Sequence, residues 1–398
     1  MVEVHGTVAA GFEGVREAFV RNFTHGGDVG AAVCVYRRGE KVVDLWGGLA
    51  DPNTGRAWQQ DTLQLVFSTS KGVTATVVHL LAERGLLDLD APVARYWPEF
   101  AAGGKQDIPV RWLLSHQAGL PALAERVPLA RFGDQDLVAA RLAEQAPLWE
   151  PGTGHGYHAV TYGWLLGEVV RRVTGRSLGT VIAEEIAAPL GLDLYLGLPA
   201  ELEPRASHTL PVPPAEPLPP EALAALPPVI AGMLKAFTDP DSLATKALRP
   251  TVEDFDANSR YAHAAEAGAV TSMGSAEGYA RMYAATVGEV DGVRLLSKET
   301  VDRARAPQTS GPDKVLVVPN TWALGYIPFT PPSDLVPIVN MIGPGSFGHG
   351  GYGGSLAFGD VDHEIGFGYV MNQLQAGGIT GEGGTAGNLV QALRAALQ

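Results

Sequence analysis

The β-rich segments of this chain lie at its two ends, with a long and mostly helical stretch between them. Near the start, "GAAVCVYRRGEKVVDLWGG" (residues 30–48) reads as a β-hairpin whose arms flank the turn Arg38-Gly39-Glu40. Near the end, "SLAFGDV" and "IGFGYVMN" alternate and are joined by a turn around "DVDHE", a second hairpin, and "WALGYIPF" adds a further short β-rich run. The economical way to bury both hairpins is one antiparallel sheet made from both termini, with a helical domain inserted between them. The expected fold class is therefore α+β. Residues 1–66 and 285–398 are expected to form the sheet domain with its flanking helices, and residues 67–284 the mainly helical one. A length of 398 residues suits two interleaved domains better than a single core.

Helical spacing marks "SKGVTATVVHLLAERG" with Gly85 as its C-terminal stop, and "YGWLLGEVVRRVTG" ending at Gly175. It also marks "SLGTVIAEEIAAPLG", "SAEGYARMYAATVG", a short "VRWLL" and a terminal "AGNLVQALRAALQ". The lead "MVEVHGTVAAGFEGVREAFVRNF" reads as a strand-like entry into an amphipathic helix, and "ADPNTGRAWQQDT" as a polar loop. Residues 211–228 hold eight prolines, which excludes a strand or long helix there. That insertion is either a surface connection or a border of a substrate cleft.

Composition narrows the partners. The net charge is −14, from 43 acidic against 29 basic residues, and no long basic run offers a surface for nucleic-acid phosphates. The single cysteine, Cys34, sits in the apolar run "AAVCVY" and reads as a small buried hydrophobe, so the fold needs no disulfide. No stretch has the uninterrupted apolar length of a membrane span. The expectation is a soluble cytoplasmic protein with no cofactor, no metal, no nucleic-acid partner and no membrane.

For chemistry, the complete Gly-x-Ser-x-Gly match at residues 175–179 follows a helix, whereas a nucleophile at such a turn needs a strand before it. Gly175 fits a helix stop and Ser177 a helix cap. "GGSLA" at residues 353–357 is an incomplete match within an expected strand. More is offered by "VFSTSKGV", residues 66–73. If a helix begins there, residues three apart share a face, so Ser68 meets Lys71 while Thr69 and Ser70 project elsewhere. A helix start also supplies free N–H groups and a positive dipole end for a developing oxyanion. By itself Ser-x-x-Lys reads more readily as a capping serine with a helical lysine.

Two downstream stretches bear on that choice: "PGTGHGYHAVTYGW", with Tyr157 before a helix, and "FGHGGYGGSLAFGD", with His349-Gly350-Gly351 leading into a strand. With these, the sequence resembles the serine β-lactamase-like family, and specifically the family VIII carboxylesterases, which are similar to class C β-lactamases. The ordered set is Ser68/Lys71, Tyr157 and His349-Gly350-Gly351, in place of the family's Ser-x-x-Lys, tyrosine and Lys-Thr-Gly boxes. Family-like phrases lie around it, among them "LLSHQAGLP", "GLLDLDAPVARYWPEF" and "DGVRLLSKETV", so the resemblance runs roughly over residues 30–372.

The resemblance implies that Ser68 attacks an ester carbonyl to form an acyl-enzyme, while Lys71 and Tyr157 share the proton transfers. Either Lys71 is the base, made neutral by burial, or its charge supports a Tyr157 phenolate. The oxyanion falls to the backbone N–H groups of Ser68 and Tyr352. Ala159 stands where class C β-lactamases carry asparagine, and His349 where they carry lysine. Neither offers the lactamase's charge or amide, which points to a small-molecule, uncharged ester. His349, Gly350, Gly351 and Ala159 are thus the expected substrate-side residues, with a mere strand-edge role as the alternative for His349. Competing activities on the same scaffold are a β-lactamase, a D-amino-acid peptidase and an acyltransferase. "HGYH" at 155–158 lacks metal-site spacing and reads as a loop with His158 beside Tyr157. His116 is expected to bond within its own turn, Tyr352 to line an apolar acyl or alcohol pocket, and Trp149 and Trp322 to pack in the core, with lining that pocket as their alternative.

Overall fold

The computed structural model of the chain describes residues 2–214, 219, 221, 225–331, 341–376 and 384–398. Its main sheet is built from β1 (Val4–Val8), β2 (Gly30–Arg37), β3 (Glu40–Asp51), β4 (Ile327–Pro328), β5 (Ser346–Gly350), β6 (Leu356–Asp360) and β7 (Ile365–Met371). The strand order is β1-β3-β2-β7-β6-β5-β4, every pairing is antiparallel, and a two-residue strand, Arg56–Ala57, adds to β3. The two ends of the chain meet where β2 pairs with β7, from Arg37 opposite Ile365 to Ala31 opposite Met371.

Hairpin β2–β3 turns on Arg38 and Gly39, both at positive φ (52° and 79°). Two successive residues of that hand match the twist of the strands they join. What read as a polar loop after residue 49 is partly strand: β3 runs on to Asp51 and pairs with Arg56–Ala57.

Strands β6 and β7 are buried along their whole length rather than on alternate residues. The reason is that both faces are covered. On one face lies α4 (Ala276–Val287), which approaches so closely that a Cβ at Gly366 would stand 2.1 Å from the carbonyl oxygen of Ala280, and one at Gly368 2.3 Å from that of Ala276. On the other face Tyr369 donates to Asp28 (2.6 Å), just beyond α1 (Glu13–Arg21) and beside α5 (Thr385–Ala396). Asn22 ties those two terminal helices by donating to the Thr385 carbonyl (2.9 Å). Each fully buried Val, Leu or Phe in these layers contributes about 1.5–3 kcal/mol. Because α4 packs on the sheet, a domain boundary at residue 285 falls inside that helix.

In the helical region, α2 (Ser70–Glu83) is buried from Ser70 to Leu81. Its sequence has no polar face to offer water, as expected of a helix enclosed by others. Against it packs α3 (Thr161–Thr174), which ends at Gly175 in the left-handed conformation (φ 71°). Gly163 on α3 lets residues 268 and 269 come against the helix, since a Cβ there would meet the Ala269 nitrogen at 2.3 Å. A small three-stranded sheet, Gln64–Leu65, Ser272–Gly274 and Leu194–Leu196, closes the near end of α2. Part of the proline-rich call at 211–228, residues 215–218, 220 and 222–224, lies outside the described residues. Among the described residues no helix is long and apolar enough to cross a membrane.

Candidate active site

Strand Gln64–Leu65 leads into a single 3₁₀ turn, Phe67–Thr69, that opens directly into α2. Phe67 takes φ +48°, a conformation that costs a non-glycine residue of order 1–3 kcal/mol and collects at functional turns. The three hydroxyls that follow are sorted by their partners. Ser70 donates to the Phe67 carbonyl (2.5 Å) and accepts from both N–H and O–H of Ser272 (3.0 and 2.8 Å). Thr69 bonds Ser355 (3.1 Å). Ser68 faces the amine and the phenol: Lys71 Nζ lies 3.1 Å from its Oγ, and Tyr157 Oη donates to that Oγ at 2.8 Å. Helical spacing had singled out the same serine.

Lys71 is fully buried, and its Nζ donates to the carbonyls of Ala159 (2.7 Å) and Ala269 (3.1 Å). Among the described residues no carboxylate pairs with it, and burial holds its pKa well below the usual lysine range. Tyr157 is pushed the other way: burial lifts its phenol above the ordinary tyrosine value, against the lowering effect of the Ser68 bond. Ala159, expected at the substrate side, also anchors Lys71 through its backbone carbonyl.

Tyr157 is held by its surroundings. Trp322 stacks flat on its ring (5.1 Å between centroids, 5° between planes). His116 meets the ring at an angle (5.1 Å, 66°). The Tyr157 backbone N–H donates to Asp313 Oδ1 (3.0 Å). Trp322 is thus buried as expected, yet it packs on the phenol rather than in a remote core. His116 does more than bond its own turn: at φ +60° it accepts from the His158 N–H through Nδ1 (3.1 Å). His158 accepts from the Leu120 N–H and serves the same loop. Among the described residues no group of three His, Cys, Asp or Glu stands ready to hold a metal ion.

His349, on β5, lies nearly parallel to Tyr157 (6.2 Å, 22°). Its Nδ1 donates to the Gly350 carbonyl (2.7 Å), which leaves Nε2 a lone-pair acceptor, buried and without a partner among the described residues. Burial and the nearby Lys71 push its pKa down to about 3, so the ring is neutral at any ordinary pH. Gly351 brings the end of β5 onto the serine turn: a Cβ there would stand 2.1 Å from the Val66 carbonyl oxygen. That contact sets the backbone of Tyr352 beside the turn that carries Ser68. The Tyr352 side chain is half exposed and meets Phe67 edge-on at 5.5 Å. Ser355 of the "GGSLA" stretch donates to the Val66 carbonyl (2.8 Å). Ser177 caps its helix by accepting from the Thr180 N–H (3.2 Å).

Sequence reasoning missed Asp313 and the Ala269 carbonyl. A backbone acceptor leaves no signal in a sequence, and "GPDK" reads only as a turn.

This arrangement has relatives. The chain is 36% identical over 385 residues to the esterase/beta-lactamase LipL of Mycobacterium tuberculosis, covering 93% of this chain and 83% of that protein. The crystal structure of a family VIII carboxylesterase matches 99% of this chain and all of its own, at 39% identity and a TM-score of 0.86. A penicillin-binding protein homologue from Caulobacter crescentus matches over 99% of this chain and all of its own, at 34% identity and a TM-score of 0.82. The Beta-lactamase family model matches residues 17–389, with the serine, lysine and tyrosine inside it, and the chain belongs to that family of serine hydrolases.

Proposed function

We propose that this protein is a carboxylesterase that hydrolyses compact, uncharged esters through an acyl-enzyme on Ser68. The observation that carries the reading is the convergence of Lys71 Nζ and Tyr157 Oη on Ser68 Oγ, at 3.1 and 2.8 Å. A neutral Lys71 amine spends both its N–H bonds on the Ala159 and Ala269 carbonyls and turns its lone pair to the Ser68 hydroxyl. Lys71 then takes the serine proton as Oγ attacks the ester carbonyl. Tyr157 passes a proton to the leaving alcohol and afterwards activates water for deacylation. The two groups interact, so the apparent pKa values belong to the pair. The backbone N–H groups of Ser68 and Tyr352 receive the oxyanion, at the positive end of α2.

Substrate class follows from what the cleft presents. Ala159 has no amide to hold a lactam side chain, and His349 offers a neutral acceptor where a cation would bind a carboxylate. Both favour a substrate without a negative charge. The esterase relatives named above support the same choice.

The test is a panel of short-chain p-nitrophenyl esters and β-lactams on wild type and Ser68→Ala. Ester turnover is expected to fall by about 10⁴-fold or more in the variant. Wild-type-like ester hydrolysis by Ser68→Ala would sink the reading. The likeness to the penicillin-binding protein homologue gives the β-lactam arm its purpose: efficient penicillin turnover with poor ester hydrolysis would establish that activity instead.

A further inference from the structure

Asp313 opens the loop of a hairpin whose strands are Thr309–Pro312 and Pro319–Trp322. It is buried, and its two oxygens meet four donors. Oδ1 accepts from the N–H groups of Val315 (2.9 Å), Leu316 (2.8 Å) and Tyr157 (3.0 Å). Oδ2 accepts from the Trp322 indole (3.1 Å). Both oxygens therefore act as acceptors, three donors on one and one on the other.

The Val315 and Leu316 bonds are what any aspartate makes when it caps its own turn. The other two are different. Tyr157 comes from another part of the chain, and Trp322 is the residue whose ring lies flat on the Tyr157 phenol. One carboxylate therefore holds Tyr157 by its backbone and, through the indole, by the face of its ring. The hairpin is strapped to the same loop at two more points. Lys314 N–H donates to the His155 carbonyl (3.0 Å), and His155 Nδ1 lies 2.8 Å from Thr309 Oγ1.

We propose that Asp313 is a positioning residue for the acyl-transfer step, fixing the Tyr157 phenol at Ser68 Oγ; this rests on the esterase reading above. Proton transfer at 2.8 Å leaves little tolerance, and a displacement near 1 Å can cost about 10²-fold in rate. Besides Asp313, the titratable groups facing Tyr157 are Lys71 from α2, His116, and His349 from β5. Those facing Asp313 are His155 and Lys314. Asp313 beside Tyr157 favours the protonated phenol, so removing its charge disfavours that proton and the apparent pKa of the pair falls.

The experiment is Asp313→Asn, Trp322→Phe and the double variant, with circular dichroism as the fold control. Asparagine keeps one acceptor but presents an NH₂ to the indole N–H. The single variant is expected to lose about 10–100-fold in kcat on a short-chain ester with KM within about threefold. The acid limb of its kcat/KM profile is expected to move to lower pH. Trp322→Phe keeps a ring on Tyr157 but removes the clashing donor, so the double variant recovers part of kcat. The proposal is overturned if folded Asp313→Asn matches wild type in rate and pH profile, if its loss only tracks the folded fraction, or if the double variant recovers nothing. Should Asp313→Asn not fold, Trp322→Phe decides: a several-fold drop in kcat at constant KM supports the proposal, and a wild-type kcat ends it. Labelling of Ser68 by a fluorophosphonate separates the two readings. If wild type hydrolyses no ester, the functional reading fails, while slower labelling of Asp313→Asn still supports positioning.

Discussion

The two halves of the proposed catalytic trio are built in different ways. Ser68 and Lys71 sit three residues apart across the start of one helix, so the backbone that places one places the other. Tyr157 sits in a loop, and everything that orients it is distant in sequence: Asp313 and Trp322 on a hairpin, His349 on β5, His116 in a turn before it. Local geometry makes the first half robust and readable. Tertiary packing makes the second half adjustable, and open to disruption from afar.

Substituting within the two halves sharpens this contrast most. Lys71→Met removes the proposed base and leaves the Ala159 and Ala269 carbonyls facing a thioether, so kcat on a short-chain ester is expected to fall by about 10³–10⁴-fold. Tyr157→Phe keeps the ring on Trp322 and loses only the hydroxyl, with an expected loss of about 10²–10³-fold. Steady-state kinetics on both variants checks the order; a larger loss in Tyr157→Phe would reverse the assignment of the base. A smaller effect comes from Gly351→Ala, which pushes a methyl into the Val66 carbonyl and pries β5 from the serine turn. Thermal unfolding is expected to report about 1–3 kcal/mol of lost stability, together with a lower kcat. The smallest effect belongs to the serine that lies in neither half. Ser177→Ala removes a helix cap, so about 1 kcal/mol of stability goes while ester turnover stays at the wild-type level.

This difference also explains what could be read in the sequence. Hairpin β2–β3, helices α2 and α3 and the choice of Ser68 over Ser70 all follow from periodicity and turn chemistry, which act over a few residues. The joining of β2 to β7 followed from having strands at both ends and one sheet to bury them. Less visible were the partners of Lys71, because two of them are carbonyls whose side chains, on Ala159 and Ala269, carry no polar atom. Asp313 was hidden for another reason: a turn aspartate looks the same whether it caps only its own loop or also grips a tyrosine over 150 residues upstream. The alternation expected in β6 and β7 failed because no feature of a strand announces that helices will cover both its faces.

The pairing of β2 with β7 also sets a timetable for synthesis. Strands β2 and β3 leave the ribosome early, and β2 keeps one edge unpaired until residues 365–371 follow. An open edge of apolar strand invites pairing with other chains. For much of that interval Ser68, Lys71 and Tyr157 are made while Trp322, Gly351 and Tyr352 are still to come. A nascent chain therefore holds Ser68, Lys71 and Tyr157 before the strands that complete their surroundings, residues 346–371, have been translated.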